Sequence, residues 1–376
     1  MFFLMMLFLG RAGVGGDVAS GMSLTRAWTI GTDENQEETI FTPNTSLAVT
    51  GTGTVFVLDP GNFRVVVLDS KGQVQSVFGQ KGMGPGEFSE PGAIGLELNG
   101  QPVVFDTGRK MKLTFGPDGT LIREVRFENE IQLVFDAAVF KNGHLVLSTL
   151  KTGPKFEMLY DLRFYDEKMT PSEPLLQVPL APLDWSKMRE PGFWVDFLTN
   201  RFQSLEAGIP VMAAISDDRM VFGRQSHFEG TIYSEDGAKV GQFKRDHEPH
   251  FYPEADRRAA CEQVWQTVAA NPAVANQLTQ AVFEKALRSS KAQLLLPAMS
   301  KMCRLGEGFA VLTGYRPSAG VGQLDLFSKA GVWLGRTRIE GRIESISGQG
   351  NQLFTIGLDG EDRLIISKYL VEIKLR

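Results

Sequence analysis

Residues 74–91 read VQSVFGQKGMGPGEFSEP, and this stretch decides the fold. A short apolar strand ends at Gly79, a glycine-rich turn follows, and Pro91 opens the next segment. The glycines of the turn allow a reversal of the backbone that residues with side chains would resist. We therefore predict that the chain leaves one sheet at Gly79 and enters the next at Pro91, with Phe88 packed under the turn.

The spacing of this stretch recurs along the chain. Gly31, which ends the run WTIG, lies 12 residues before Pro43, as in the stretch above. Strand-like runs end at Asp59 and at Asp106, 47 residues apart. Short strands that repeat with this period are typical of β-propellers, whose blades are four-stranded sheets.

Tight hairpin turns give an independent count of the blades. Turns in which glycine accepts a positive φ join strand-like runs at DSKG (69–72), PDGT (117–120), EDGA (235–238) and SKAG (328–331), with a looser equivalent at 166–174. A sixth unit begins at Arg342 and has three strands but no outer hairpin. We predict that the strand at 26–31 completes this unit, which closes the ring and leaves few free sheet edges.

The sequence thus predicts an all-β protein, a six-bladed β-propeller closed by an N-terminal strand in the last blade. The predicted blades are 43–79, 91–128, 134–180, 211–245, 298–339, and 342–376 with 24–31. Two insertions exceed the repeat, 180–210 and 246–294, and the second predicts a helical insertion between blades four and five. Both follow the outermost strand of a blade, so we expect both on one face of the ring.

The turn at 79–91 and the sequence DPGNFR (59–64) resemble the NHL-type repeats of bacterial six-bladed β-propellers. The resemblance is specific over about residues 24–130 and weaker beyond them. It implies that the aspartate, asparagine and arginine of a repeat brace a turn. The sequences DTGR (106–109) and DGEDR (359–363) repeat this pattern.

Composition and the N-terminal residues restrict the class of protein. The net charge is −5 and the pI is about 5.6, which excludes general nucleic-acid binding. The apolar run FFLMMLFL (2–9) is too short for a transmembrane helix and is typical of a secretory signal peptide, although it could also form an apolar strand. We predict a signal peptide at 1–21, a single domain at 22–376, no transmembrane segment, and export to the periplasm or the extracellular space.

The first insertion is rich in aromatic residues. It is therefore either a cap packed on the ring or a surface offered to a ligand, for which Trp185 and Trp194 are the candidate residues. The second insertion has a helical apolar pattern, with a second helix that starts at Asn271 and Pro272 and continues to about Leu287. The apolar face of these helices could be buried on the ring or by a partner protein.

A basic residue is found in the loop between the second and third strands of each predicted blade. Six positive groups on one mouth of the ring would bind an anionic ligand by charge-assisted hydrogen bonds. Alternatively, these residues brace their own turns, as the NHL resemblance implies. The six candidates are Arg64, Arg109, Lys155 (or Lys151), Arg224, Arg316 and Arg363.

Three of the four histidines are close together in the predicted map. His227 lies in a loop of blade four, and His247 and His250 lie in the crossover that follows this blade. With Glu248 or Glu254 they would form a site for zinc or another divalent ion. Alternatively, they are solvated residues of a linker. Apart from such a metal, the sequence predicts no cofactor.

The two cysteines also allow two interpretations. Cys261 lies in the helical insertion and Cys303 lies just before a strand of blade five. A disulfide between them would tie the helices to the ring in an oxidising compartment. Two buried free thiols are the alternative.

The motifs favour a non-enzymatic function. The sequence contains no nucleophile elbow, phosphate-binding loop, metalloprotease helix or zinc-finger spacing. We expect a rigid ring that presents its insertion-bearing face to a protein, peptide or glycan ligand. The alternative is a metal-assisted lyase or hydrolase at the same mouth, with the three histidines as ligands. The fold alone does not decide between them.

Overall fold

The computed structural model describes residues 22–373 except for residues 34, 98, 141, 154–157, 181–183, 191, 205–209, 270–273, 291–295 and 317–319. The description also leaves out the side chains of residues 185, 203, 204, 263, 267 and 314–316. The predicted signal peptide, 1–21, lies outside the described residues.

The strands of the described chain pair into six four-stranded sheets, which are the blades of a propeller. The first strand, β1 (Met22–Ile30), belongs to the last blade. Blades one to three follow in chain order as β2 (Ser46–Val49), β3 (Val55–Asp59), β4 (Arg64–Leu68) and β5 (Val74–Phe78), then β6 (Pro91–Leu96), β7 (Pro102–Asp106), β8 (Met111–Phe115) and β9 (Leu121–Arg126), then β10 (Ile131–Val139), β11 (Leu145–Thr152), β12 (Met158–Tyr165) and β13 (Pro171–Pro179).

Blades four to six complete the ring. In blades one to five each strand pairs with the next strand of the chain, so the first strand of a blade lies at the axis and the fourth at the rim. The remaining strands are β14 (Pro210–Ser216), β15 (Arg219–Arg224), β16 (Glu229–Ser234) and β17 (Lys239–Lys244), then β18 (Lys301–Leu305), β19 (Gly308–Arg316), β20 (Val321–Ser328) and β21 (Trp333–Glu340), then β22 (Arg342–Gln349), β23 (Gln352–Leu358) and β24 (Leu364–Ile373).

Blade six contains both ends of the described chain. β1 pairs antiparallel with β24, from Met22 opposite Ile373 to Ile30 opposite Ile366. The six-bladed, all-β fold and its closure by the N-terminal strand are therefore confirmed.

The middle strands of the blades are buried on both faces. Every residue of β3 and of β7 is buried, and their sequences, VFVLD and PVVFD, are continuous apolar runs that end in an aspartate. Each blade packs between two neighbours, so both faces of a middle strand are covered. The rim strand β5 instead alternates between half-buried and exposed residues.

The predicted turn after β5 is present. Gly79 has a φ of 88°, and a Cβ atom at this position would lie 2.3 Å from the ring of Phe88, which is fully buried. The Phe88 N–H donates to the carbonyl of Gln80 at 2.8 Å, and the Gly82 N–H donates to the carbonyl of Phe88 at 2.9 Å. Both the backbone conformation and the close approach of the ring therefore require glycine at position 79.

Three helices form a unit that we call the helical cap: α1 (Phe193–Ser204), α2 (Glu254–Ala269) and α3 (Gln280–Ser289). Their apolar residues form a buried cluster that includes Phe197, Phe202 and Phe283 and no described residue of the blades. The cap thus joins the two insertions around a small core of its own. No helix in the described part of the chain is long and apolar enough to cross a membrane.

The helices differ in detail from those predicted. Helix α1 was not predicted, because its aromatic residues are weak helix formers. The predicted helix start at Asn271 and Pro272 lies outside the described residues. α3 begins at Gln280, directly after Thr279, whose hydroxyl accepts a hydrogen bond from the Val282 N–H at 3.4 Å. Thr279 therefore caps the helix.

Candidate functional site

The first strands of the six blades surround a channel along the axis of the ring. A cavity of about 320 Å³ lies in this channel and is lined by residues of β2, β6, β10, β14, β18 and β22. Ligand pockets have volumes from about 300 Å³ upward. The candidate functional residues are therefore the polar and charged side chains of these six strands.

Asp136 contributes a carboxylate to the wall of the cavity. The pairing of β10 is irregular between Val134 and Asp136, and such irregularities redirect side chains. The carboxylate accepts one hydrogen bond, from the Ala137 N–H at 2.9 Å, and forms no ion pair with the described residues. Burial raises the pKa of the Asp136 carboxyl, and the charge of Lys301 opposes this rise. A perturbed acid beside a cavity is typical of binding and catalytic sites.

Lys301 and Glu344 are among the other charged residues of the first strands. Lys301 begins β18 and lines the same cavity. Glu344 lies at an irregular position of β22, directly before Ser345, which lines the cavity. Blades three, five and six thus each supply an ionisable group.

The hydroxyl of Ser46 is a further polar group of the wall. It is buried and has no hydrogen-bond partner among the described groups. A buried polar group without a partner costs about 1–3 kcal/mol.

One end of the cavity is formed near the turns that join the first and second strands of the blades. An ion pair lies at this end. The Nη1 atom of Arg304 lies 2.8 Å from the Oδ1 atom of Asp217, and both residues line the cavity. Cys303 is buried beside them, and burial raises the pKa of its thiol to about 12. The thiol therefore stays protonated near neutral pH and is a packing group rather than a nucleophile.

Arg64, the first of the six predicted basic residues, braces its own turn. Its Nε atom donates to the fully buried carboxylate of Asp59 at 3.0 Å, and Asn62 donates to the same carboxylate at 2.8 Å. The Arg64 guanidinium also donates to the carbonyl of Ile40 at 2.9 Å. Arg64 thus joins the turn of blade one to the chain that enters from blade six.

Arg109 and Arg363 have similar partners. Arg109 donates to the carbonyl of Glu87 at 2.7 Å and pairs with the carboxylate of Glu124 at 2.7 Å. Arg363 pairs with Asp359 at 2.8 Å. These contacts support the bracing interpretation for both residues.

The other three basic candidates differ from these. Lys155 lies outside the described residues, and so does the side chain of Arg316. Arg224 is exposed at the end of β15, where it lines a second cavity together with His227. The described residues therefore do not form a ring of free positive groups.

The two predicted aromatic ligand residues lie in the first insertion. Trp194 is 8% exposed and packs in the helical cap, with ring centroids 5.1 Å from Phe193 and 5.5 Å from Phe197. This placement favours packing over a ligand surface. Trp185 begins a short 3-10 helix (Trp185–Lys187), and its side chain lies outside the description.

The three histidines predicted as metal ligands do not come together. His247 and His250 are neighbours, with ring centroids 5.9 Å apart, but the Nδ1 atom of His227 lies 2.8 Å from the hydroxyl of Ser226. Within the described ranges no group of three or more His, Cys, Asp or Glu residues could hold a metal ion. His227 lines the second cavity, and the ring of His247 packs against Phe228.

Cys261 and Cys303 are two buried free thiols. Cys261 belongs to the core of the helical cap, and Cys303 belongs to the core between blades five and six. The disulfide alternative is therefore wrong, because the two thiols lie in separate cores.

Asp136, Lys301 and Glu344 are not among the residues predicted from the sequence. Each is a charged residue in a first strand, within the sequences IQLVFDAAV, KMCRL and RIESISGQ. A charge in a strand that must pack between blades is costly unless it faces a cavity or a partner. This signal could have identified all three residues.

Comparisons with known proteins show the fold. No protein-family model and no curated protein matches the chain. The solved structure of a protein from Bacteroides fragilis NCTC 9343 has a TM-score of 0.53 at 12% identity, over 96% of this chain and 97% of that one. A member of the DUF4221 family from Bacteroides vulgatus has a TM-score of 0.50 at 9% identity, over 94% of this chain and 99% of that one.

Solved structures with lower TM-scores include enzymes. A gluconolactonase from Xanthomonas campestris has a TM-score of 0.44 at 13% identity, over 92% of this chain and 86% of that one. The two Bacteroides structures, at 12% and 9% identity, share the six-bladed propeller fold, and this likeness shows the fold alone. The NHL-type resemblance is accordingly confirmed for the propeller fold, whereas membership of the NHL family is not shown.

Proposed function

We propose that the protein is a binding protein that holds a zwitterionic ligand, such as a short peptide with free ends, in its central channel. The observation that carries this proposal is the unpaired carboxylate of Asp136 in the wall of a cavity that Lys301 also lines. Asp136 would bind the amino group of the ligand, and Lys301 would bind its carboxylate, by charge-assisted hydrogen bonds. Of the three expected ligand classes, protein, peptide and glycan, a peptide fits these opposite charges best.

The rest of the channel supports the same assignment. Ser46, Ser345 and Ser347 line the cavity and make part of its wall polar. Glu344, an exposed residue of the first strand of blade six, lies next in sequence to the cavity-lining Ser345. The wall consists of paired strands from all six blades, so little conformational entropy is lost when a ligand binds.

We also propose that the ligand enters from the face that carries both insertions, within a single domain at 22–376. The common core of the helical cap, to which both insertions contribute, supports a shared face. The crossover after blade four also contacts the loop of that blade, where the Ala298 N–H donates to the carbonyl of Gln225 at 2.7 Å. The ion pair between Arg304 and Asp217 marks the opposite end of the channel.

Export is part of this proposal. It is supported by the apolar run at residues 2–9, and the name of the similar Bacteroides fragilis protein also describes export. Expression of the full chain in a bacterium, followed by N-terminal sequencing of the periplasmic fraction, tests it. A cleaved chain that begins near residue 22 is expected, and an uncleaved cytoplasmic chain would contradict export.

The alternative function, a metal-assisted lyase or hydrolase, is compatible with the same fold, because propellers host enzymes as well as binding proteins. The geometry favours binding for two reasons. His227 and His247 have different surroundings, and the channel combines a carboxylate with an ammonium group.

Short peptides with blocked ends test the binding proposal. We expect calorimetric titration of a panel of di- and tripeptides to show that acetylation of the amino end weakens binding about tenfold or more, because a charged hydrogen bond is lost. The variant Asp136→Asn should remove this preference for a free amino end. Amidation of the carboxyl end should weaken binding similarly, and Lys301→Met should remove that preference.

The control variant is Glu173→Gln, which changes an exposed carboxylate on the rim strand β13. It should retain both preferences. The proposal fails if free and blocked peptides bind equally to the wild-type protein, or if Asp136→Asn still distinguishes them.

A further inference from the structure

A second cavity, of about 580 Å³, lies outside the channel. Leu176 of the rim strand β13 lines it from blade three, and residues of β15, β16 and β17 line it from blade four. We call this cavity the rim groove. The residues that matter below are Leu176, Phe222, Arg224, Thr231, Gln242 and Lys244.

Strand register places the polar groups of blade four on one face. Phe222 lies opposite Thr231, and Thr231 lies opposite Gln242. Arg224 and Lys244 are each two residues further along their strands, so they point to the same side as Phe222 and Gln242. The groove therefore combines an aromatic ring, two hydrogen-bonding side chains and two cations.

The rim groove has more cationic than anionic side chains, although the whole protein has a net negative charge. Arg224 forms no ion pair with the described residues, and Lys244 is 3.2 Å from a single partner, Glu229. Lys239 and His227 line the same groove, whereas the whole chain has a net charge of −5. Such a local concentration of basic groups attracts anions.

The floor of the groove is apolar. Phe222 stacks on Tyr233 with ring centroids 5.6 Å apart and planes at 16°, and Leu176 packs against the same cluster from blade three. A site for a bare inorganic ion would not need an aromatic floor. The floor indicates a ligand with a ring-shaped body as well as a negative group.

We propose that the rim groove binds an acidic saccharide, that is, a sugar ring that carries an oxyanion. Arg224 binds the oxyanion through its planar fork of donors. Thr231 and Gln242 form hydrogen bonds with hydroxyl groups of the ring, and Phe222 packs against its apolar face. This site is separate from the channel and does not depend on the function proposed there.

Replacement of Glu229 tests the proposal because it should change the affinity in the opposite direction to replacement of Arg224. The Glu229 carboxylate pairs with the ammonium group of Lys244 in the free protein, so it competes with the oxyanion of the ligand for this group. Replacement of Glu229 by glutamine should therefore strengthen binding, whereas replacement of Arg224 by glutamine should weaken it. Both side chains lie at the surface, so neither change should impair folding.

Glucuronate and glucose are the probes, because they share a ring and differ in the carboxylate. By calorimetry or ligand-detected NMR we expect the wild-type protein to bind glucuronate about tenfold more tightly than glucose. Arg224→Gln should weaken glucuronate binding about ten- to a hundredfold, as expected for loss of a charged hydrogen bond. Glu229→Gln should strengthen it a few-fold. Inorganic phosphate, the third probe, should bind more weakly than glucuronate.

Lys285→Gln, at an exposed position of α3, is the matched control and should bind glucuronate like the wild-type protein. Asp136→Asn should also leave this binding unchanged, which separates the rim groove from the channel. Equal affinity for glucuronate and glucose, or unchanged affinity in Arg224→Gln, would overturn the site. Phosphate binding as tight as that of glucuronate would overturn the assignment to a saccharide.

Discussion

The indole N–H of Trp28 donates a hydrogen bond to the backbone carbonyl of Ser70, 3.1 Å away. Trp28 belongs to β1 in the last blade, and Ser70 belongs to the hairpin of blade one. The indole also lies over Gly72, where a Cβ atom would be 2.9 Å from it, and its ring centroid is 5.9 Å from that of Phe354. Closure of the ring thus depends on packing between blades as well as on strand pairing.

Replacement of Trp28 tests this closure. We expect Trp28→Ala to lower the free energy of unfolding by about 2 kcal/mol or more, because a half-buried aromatic side chain is lost between blades. Urea denaturation measures the change. Thr25→Ala, at an exposed position of the same strand, should change stability by less than about 0.5 kcal/mol. Equal effects of the two variants would contradict the closing role of Trp28.

Arg64 should be a stability residue. Arg64→Ala removes the cation from the fully buried carboxylate of Asp59, and breaking such a buried pair costs about 3–5 kcal/mol. Chemical denaturation of this variant should show the loss, whereas Arg126→Ala, at an exposed position of β9, should not. If Arg64→Ala unfolds like the wild-type protein, the bracing role is wrong and a ligand role for Arg64 becomes the better explanation.

The pKa of Asp136 predicts a dependence of stability on pH. Burial raises this pKa above the ordinary value of 3.8, so the folded state holds the proton more tightly than the unfolded state does. The resulting stabilisation is complete below the ordinary pKa and is lost as the pH rises through the raised pKa. Asparagine does not titrate. The stability of Asp136→Asn relative to wild type should therefore increase as the pH rises from about 3.5 to 7, and a constant difference in urea titrations would refute the raised pKa.

His247 should make stability depend on pH in the opposite direction to Asp136. Its Nε2 atom is buried without a hydrogen-bond partner among the described groups. Burial lowers the pKa of His247. The nearby charges of His250, Arg336 and Arg245 lower this pKa further, whereas the charge of Asp325 raises it. The unfolded state therefore binds a proton more readily. The stabilisation from neutral His247 is present above the ordinary pKa of 6.5 and is lost as the pH falls through and below that value.

The variant His247→Gln tests this dependence. Between pH 7.5 and pH 5 the wild-type protein should lose more stability than His247→Gln does, as measured by urea denaturation at each pH. His144→Gln, which changes a half-buried turn residue, is the control and should follow the wild-type protein. Parallel curves for wild type and His247→Gln would show that His247 has an ordinary pKa.

The two cysteines should be unreactive in the folded protein. Burial raises the pKa of Cys261 to about 11 and that of Cys303 to about 12, so neither is a thiolate at pH 8. We expect almost no reaction with a disulfide reagent in the native state and two equivalents after unfolding without reductant. Fewer than two equivalents after unfolding would indicate a disulfide.

Turn braces could be predicted from the sequence because their partners are close in the chain. Asp59 and Arg64 lie within one turn, and the NHL resemblance implies their contact, which is present at 3.0 Å. The three-histidine site could not be assessed in this way. His227 and His247 are close in the predicted map, but the side on which each ring packs depends on the neighbouring blades, and the two rings have different surroundings.

The number of blades and the closure of the ring were determined by the sequence alone. Gly72 and Gly119 have φ values of 82° and 85° in successive hairpins, and this local requirement is visible in the chain. Only the tertiary structure decided which charged residues share a cavity. Asp136 and Lys301 lie in blades three and five but line one cavity, and Leu176 of blade three and Arg224 of blade four both line the rim groove. Turn conformation depends on neighbours along the chain, whereas a cavity forms only when distant strands pack, and no local pattern records that packing.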